Sequence, residues 1–224
     1  MMIASARTVS IVGFVAAISL VVTLHILRTD ISPAAGRLSE YANGPYGWMM
    51  TTSFVALGCG LIMMGVVLQS GRSREWRSWA SPALAFSAGA ATILSGIFPT
   101  EAPAADESIH SPASAVAVVA VVTLALAHST RSAGRRSGWT RDPAGTGLAL
   151  GAFVLAALSP VIHHTRWTGF GQRALWIVLA TWLLRAAWID ARQTTPSQLP
   201  IGADHDREIS ARRDNASDWA KRSG

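Results

Sequence analysis

The sequence predicts an all-α integral membrane protein: a bundle of six transmembrane helices with a short outer amphipathic helix and a polar tail. Three observations predict this class. The chain of 224 residues is 50% hydrophobic and only 14% charged, whereas soluble domains carry about 25% charged residues. Its apolar residues are gathered into six long runs. Arginine and tryptophan concentrate between these runs, as topology signals and interface anchors do.

The six runs define a first domain, residues 1–189. Each run approaches the ~20 apolar residues that a helix needs to cross a bilayer. The sixth is the shortest, and Arg185 near its end can extend its side chain to the interface. All six are predicted to be helices, because an isolated strand cannot satisfy its backbone hydrogen bonds in lipid. The predicted spans are residues 9–27, 48–68, 79–98, 112–128, 145–163 and 173–188.

The distribution of arginine predicts the orientation. The loops after the second and fourth spans are rich in arginine, whereas the loop after the third has none. By the positive-inside rule both termini are cytoplasmic, in a multi-pass protein of the cell (inner) membrane. Residues 190–224 are polar and cannot bury enough surface to fold alone, so they are predicted to be a disordered cytoplasmic tail. The loop arginines are Arg72, Arg74, Arg77, Arg131, Arg135, Arg136 and Arg141.

The net charge of +6 does not indicate nucleic-acid binding. The basic residues fall between apolar runs rather than on one polar face, so they indicate topology. The predicted partner is the lipid bilayer, and a homo-oligomer or a membrane-protein partner stays open. Cys59 is the only cysteine and lies inside an apolar run, which excludes an internal disulfide and a cysteine-based metal site.

A short amphipathic helix is predicted on the outer side, over about residues 32–43. Ser32 and Pro33 are a favourable N-cap and first helical residue. Glu40, near the end of this helix, has two interpretations. It forms an exposed pair with Arg37 three residues earlier, or it turns its carboxylate toward the mouth of the bundle.

Ionisable residues collect on the predicted outer side. Such groups are costly near membrane depth, so they are usually paired or functional. Glu101 and His110 bracket a ten-residue connection between the third and fourth spans, and a carboxylate and an imidazole so placed can act as acid and base. These two are the candidate catalytic residues. The candidate ligand-binding residues are His25, Arg28, Asp30, Glu40, Tyr41, Glu101, His110 and Arg173.

Histidines at the helix ends raise the alternative of a metal site. His25, His110 and His163 are the candidate ligands, because imidazole nitrogen is a common ligand of zinc. Their spacing matches no named metal motif, and the sequence contains no H-E-x-x-H. No cofactor is therefore predicted, with a bound metal ion as the alternative.

Several short polar motifs stand in order at the ends of the apolar runs. They are His25-x-x-Arg28-x-Asp30, Ser39-Glu40-Tyr41, Gly44-Pro45-Tyr46-Gly47-Trp48, Phe98-Pro99-Thr100-Glu101, His110 and Gly171-Gln172-Arg173. Over about residues 10–188 they resemble the domain of unknown function 998 family, polytopic membrane proteins of bacteria and archaea. Glu101 stands where that family commonly has Asp. The resemblance implies an integral six-helix protein with an outward polar cluster, and it implies no reaction.

Three functions stay open on the sequence. The first is binding or transport of a small ligand, lipid or ion at the outer mouth. The second is an intramembrane hydrolase or transferase that acts on a lipid or lipid-linked substrate through a Glu–His pair. The third is a structural or accessory membrane subunit. The spans lack acids and bases at mid-membrane, which argues against a proton-driven pump.

Overall fold

The computed structural model describes residues 2–70, 79–98, 104–134, 142–163 and 165–193, with the backbone alone at residues 104–108, 130–134 and 190–193. Within these residues the chain forms six α-helices, one 3-10 helix and no strand. Met1–Ile189 is one compact unit, and residues 194–224, most of the predicted tail, lie outside the described residues. The elements are α1 (Met2–Leu27), η1 (Leu38–Ala42) within loop 1 (residues 28–46), α2 (Gly47–Ser70), α3 (Ala80–Ile97), α4 (Ala104–Gly134), α5 (Pro143–Ile162) and α6 (Thr168–Gln193).

Five helices are long and apolar enough to cross a membrane. They are α1, α2, α3, α5 and the Ile109–Ser129 part of α4. This confirms the predicted class, an all-α multi-pass membrane protein. Helix α6, which contains Arg173 and Arg185, is not among the five found in the described residues. A count of six spans therefore does not follow from helix length and composition.

Helix α4 is longer than the predicted fourth span. The sequence predicts a span over residues 112–128, with Glu101 and His110 on either side of the connection before it. The helix instead begins at Ala104 and contains Pro112 in its interior. The cost is one hydrogen bond, because proline has no N–H to donate to the preceding turn. His110 therefore lies within α4 and not in the connection before it.

The amphipathic helix predicted over residues 32–43 is only five residues long in the structure. It is the 3-10 helix η1, Leu38–Ala42. Arg37 precedes it with φ −75° and ψ 154°, an extended conformation that breaks the predicted helix. The N–H of Leu38 then donates to Gln172 Oε1 of α6 at 2.8 Å. A tertiary hydrogen bond thus stands where the sequence pattern predicts an intrahelical one.

One buried cluster joins all six α-helices. Small residues allow the helices to approach closely, as is common in membrane bundles. Gly58 of α2 and Gly89 of α3 show this best, because a Cβ added to either would lie 2.6 Å from the carbonyl oxygen of the other. The cluster contains one or more residues from each helix, among them Phe14, Leu61, Ala88, Leu124, Ala149 and Trp182.

The bundle has two chemically different ends. Consecutive helices α1 to α5 pack against one another, and short connections make such neighbours antiparallel. At one end, which we call the η1 end, His110 near the start of α4 contacts the carbonyl of Ser95 near the end of α3. At the other end, Arg185 of α6 binds Asp142, the N-cap of α5.

Candidate functional site

Arg173 near the start of α6 holds loop 1 in place. Its Nε donates to His25 Nε2 at 2.8 Å, and its Nη1 donates to the carbonyl oxygens of Pro33 at 2.9 Å and Gly36 at 2.6 Å. Its Nη2 donates to Tyr41 Oη at 3.2 Å. Four of the five guanidinium N–H donors therefore bind the protein itself. We call these five residues the Arg173 clamp.

The clamp fixes the protonation pattern of His25. Arginine can only donate, so His25 Nε2 accepts and the ring proton lies on Nδ1, which donates to the carbonyl of Val21 at 2.8 Å. The rings of His25 and Tyr41 are 4.9 Å apart. The Arg173 Cζ lies 5.6 Å from the centre of the Tyr41 ring, within the range of a cation–π contact. Both nitrogens of His25 are thus occupied by protein partners.

Arg28 holds the turn that leads into α2. Its Nε and Nη2 donate to the two carboxylate oxygens of Asp30 at 2.9 and 2.8 Å. Its Nη1 donates to the carbonyls of Asn43 at 2.6 Å and Pro45 at 3.0 Å. The hydrogen bond from Arg28 lowers the pKa of Asp30 below its usual value. Tyr46 in this turn has a positive φ of 64°, a conformation that costs energy for a non-glycine residue, so Arg28 stabilises a strained turn.

The remaining candidates near loop 1 are dispersed. Glu40 is half-buried and forms no ion pair with any residue that the structure describes. Arg37, its predicted alternative partner, instead has Nη2 3.1 Å from His163 Nε2. Glu101 lies outside the described residues, so its catalytic and ligand-binding roles stay predictions.

His110 lies in a separate group that we call the His110 cluster, formed by His110, Ser95 and Ser114. His110 Nδ1 is 2.9 Å from the carbonyl oxygen of Ser95 and 2.8 Å from that of Phe98. Both carbonyls can only accept, so the ring proton lies on Nδ1. The other nitrogen, Nε2, is 3.4 Å from Ser114 Oγ, which is also 3.1 Å from Ser95 Oγ.

The three candidate metal ligands do not meet. His25 belongs to the Arg173 clamp, His163 contacts Arg37, and His110 lies on α4. Within the described part of the chain, no group of three or more His, Cys, Asp or Glu side chains could hold a metal ion. A site that includes Glu101 stays a prediction, because that residue is outside this part.

A cavity of about 150 Å³ extends from the η1 end into the bundle. It is lined by η1 and by α1, α2, α3, α4 and α6, with no contribution from the described residues of α5. Its walls are mostly apolar, and the His110 cluster, Ser39 and Gln172 line its η1 end. Gln172 is exposed, so the cavity opens there. The large apolar side chains in its wall are Phe14, Met50, Phe54, Leu61, Trp176 and Leu183.

Loop 1 covers the mouth of this cavity. Leu38 of η1 lines the cavity and its N–H binds Gln172, the neighbour of Arg173. Gly169 in the first turn of α6 allows loop 1 to approach, because a Cβ there would lie 2.2 Å from the carbonyl oxygen of Gly36. The Arg173 clamp therefore positions the cover of the cavity and is not itself part of the cavity wall.

The chain matches the family model described as "Protein of unknown function (DUF998)" over residues 11–189. The chain belongs to the DUF998 family. This confirms the resemblance drawn from the polar motifs, and the matched region contains loop 1, the Arg173 clamp and the cavity. No curated protein and no solved structure matches the chain. Family membership supplies no reaction or ligand, so the function of this DUF998 protein must be argued from its site.

Six polar residues of the cavity are not among the candidate residues predicted from sequence: Ser39, Ser53, Thr92, Ser95, Ser114 and Gln172. Ser114 had a usable signal, because it follows His110 by four positions and so shares its helical face. Gln172 adjoins the predicted Arg173. Ser95 offered no signal, since a serine inside an apolar span often bonds only to the carbonyl one turn earlier, which Ser95 also does.

Proposed function

We propose that this protein binds an apolar segment of a lipid chain in the cavity, with loop 1 as its cover. The observation that carries the proposal is the cavity itself, which enters between five helices at one end of the bundle and has a mostly apolar wall with a few polar side chains. An apolar pocket with a few convergent polar groups is the usual form of a small-molecule site. A molecule with an apolar chain and a polar end has the matching shape and polarity.

The depth of the cavity supports a ligand that occupies one leaflet. Gln172 and Leu183 of α6 both line it. The eleven-residue separation between them corresponds to about 16 Å along the helix axis. Half of the hydrocarbon core of a bilayer is about 15 Å thick. The cavity is therefore about as deep as one leaflet, and its volume of about 150 Å³ suits a short apolar segment of a lipid chain rather than a whole chain.

We also propose that α6 is the sixth span. Trp182 of α6 is buried in the core shared by all helices, and its Nε1 donates to Ser129 Oγ of α4 at 3.3 Å. The two arginines of α6 have partners at opposite ends of the bundle, Arg173 in the clamp and Arg185 at Asp142. Charged groups held at the ends of a helix are compatible with a short apolar centre.

The proposed orientation places the η1 end on the outer side of the bacterial cell membrane. Two arginine-rich segments, residues 71–78 and 131–141, follow the apolar parts of α2 and α4 in sequence, whereas loop 1 precedes α2. The positive-inside rule assigns those segments and both termini to the cytoplasm. The cavity then opens toward the outer leaflet, and its ligand is a lipid of that leaflet.

A photoaffinity experiment tests the proposed function. The full-length protein in lipid nanodiscs is irradiated in the presence of a 16-carbon alkyl probe that carries a diazirine. The labelled peptides are then mapped by mass spectrometry. We expect label on the cavity residues Met50, Phe54 and Trp176. The variant Ala117→Phe places a ring in the cavity and should lower this labelling at least tenfold.

Ala115→Phe is the matched control. Ala115 lies on the same helix as Ala117 but is exposed and not in the cavity wall, so this variant should label as the wild type does. Labelling that is spread over the lipid-facing helix surfaces and is unchanged in Ala117→Phe would exclude the cavity as a lipid site. It would favour the structural or accessory role instead.

A further inference from the structure

The His110 cluster has fewer protons than acceptors. The Nδ1–H of His110 binds the carbonyls of Ser95 and Phe98, which leaves Nε2 as an acceptor. The hydroxyl of Ser95 donates to the carbonyl of Ala91 at 3.0 Å, so Ser95 Oγ can also accept. The Ser114 hydroxyl lies 3.1 Å from Ser95 Oγ and 3.4 Å from His110 Nε2. Its single proton therefore serves two acceptors at once.

This shortage lies where it is costly. His110 is 5% exposed and Ser95 is 2% exposed. A buried acceptor that lacks a donor lowers the stability of the protein, whereas an exposed acceptor can bind water. His110 and Ser114 both line the cavity. A hydroxyl group that enters the cavity can donate to His110 Nε2, and the Ser114 proton is then left for Ser95 Oγ alone.

The cavity offers no compensation for a negatively charged ligand. Of the lining side chains in the described part of the chain, His110 alone can carry a charge. The guanidinium of the nearby clamp, Arg173, already uses four of its donors on loop 1, His25 and Tyr41. A phosphate or carboxylate placed at the His110 cluster would therefore lose water without gaining a counter-charge.

We infer that the cavity selects an uncharged lipid with a free hydroxyl group, which donates its proton to His110 Nε2. This inference rests on the proposed lipid-binding function and names the chemical class of its ligand. A long-chain alcohol and a monoacylglycerol share this chemistry. Ser114 and Ser95 have the supporting role of orienting the proton pattern around Nε2.

Competition against the diazirine probe tests the inference. The full chain in nanodiscs is labelled in the presence of hexadecanol, its methyl ether, hexadecanoate or a monoacylglycerol. The alcohol and the ether have similar chains, but only the alcohol can donate. We expect hexadecanol to compete at about tenfold lower concentration than the ether, which corresponds to one hydrogen bond of ~1.4 kcal/mol. Whichever of the alcohol and the monoacylglycerol competes better identifies the source of the hydroxyl, and either order supports the inference.

Two variants assign the effect to the cluster. His110→Phe removes the acceptor and should reduce the alcohol-to-ether ratio to about one. Ser95→Ala is the milder second variant: it frees the Ser114 proton to bind His110 Nε2, so it should also reduce the ratio while the protein folds normally. Ser111→Ala is the matched control, because Ser111 is exposed on the same helix and should leave the ratio unchanged.

The outcomes separate this inference from the proposed function. Equal competition by alcohol and ether at the cavity, or tighter competition by hexadecanoate, would overturn hydroxyl selection and leave lipid binding intact. An unchanged preference for the alcohol in both His110→Phe and Ser95→Ala would overturn the assignment to the cluster. Absence of cavity labelling by the probe would overturn both proposals together.

Discussion

Helix α6 is held at its two ends by two arginines that work in different ways. Arg185 forms an ion pair with Asp142, in which its Nε lies 3.1 and 3.0 Å from the two carboxylate oxygens. Arg173 at the η1 end has no ion pair among the described residues. It binds two backbone carbonyls and the side chains of His25 and Tyr41.

The difference distinguishes two ways of holding a helix end: an ion pair, and directional hydrogen bonds to neutral acceptors. The side chain of Arg185 is 40% exposed and that of Asp142 is 24% exposed, so water and salt screen their attraction. The four acceptors of Arg173 are neutral and lie at different positions around its guanidinium group. They therefore require a planar group with several fixed donors. The η1 end, where the cavity opens, is therefore the end of α6 whose contacts depend more strongly on the geometry of the arginine.

The largest effect should come from an added methyl group at the η1 end. In Gly169→Ala the new Cβ would lie 2.2 Å from the carbonyl oxygen of Gly36 and 2.9 Å from that of Pro33. Loop 1 must move off α6, and we expect a loss of about 3 kcal/mol in the free energy of unfolding. Titration with a denaturing detergent in mixed micelles measures this. Gly147→Ala is the control, because its Cβ would meet nothing within 4 Å, and an equal loss there would contradict the account.

The second effect compares the two arginines directly. Arg173→Lys replaces a planar group with five donors by a compact group with three, and we expect a loss of about 2 kcal/mol, since buried acceptors of the clamp are left unsatisfied. Arg185→Lys keeps the charge opposite Asp142, and we expect a loss below ~1 kcal/mol. The same detergent titration gives both values. Equal losses would show that charge, and not direction, holds the η1 end.

The helices could be predicted because their signal is local. The sequence predicts a span at residues 145–163, and the structure contains α5 at Pro143–Ile162, since a long apolar run bounded by polar residues determines its own extent. The short helix η1 could not be predicted in the same way. Its first N–H binds Gln172, 134 positions away in the chain, and no local pattern contains that contact.

The site shows the same limit. The sequence predicts that outer-side polar residues converge, and the structure brings Arg173 within hydrogen-bonding distance of His25 and Tyr41. Sequence reasoning could not tell that their donors and acceptors bind one another, because that depends on distances of a few tenths of an ångström. The cavity also could not be predicted from the sequence. Its walls combine side chains from five helices, and only the packing of these helices determines which side chains face one another.

The smallest effect sharpens the comparison at the Arg185 end. A hydrogen bond from Arg185 holds the pKa of Asp142 below its usual value, and the N–H of Gly145 acts in the same direction. A carboxyl with a lowered pKa in the folded protein stabilises it fully above the ordinary value of about 3.9, and this contribution is lost as the pH falls through the lowered value.

We therefore expect Asp142→Asn to be less stable than the wild type by below ~1 kcal/mol at pH 7, with a constant difference down to about pH 4.5 and a smaller one below. Thermal unfolding of both proteins in nanodiscs between pH 7 and pH 3 measures this difference. Titrating groups that do not interact with Asp142 are common to both proteins and cancel; His128 does interact electrostatically with Asp142. A difference that persists unchanged to pH 3 would mean that the Asp142 side chain acts as a neutral helix cap, and the two ends of α6 would then be held by the same kind of interaction.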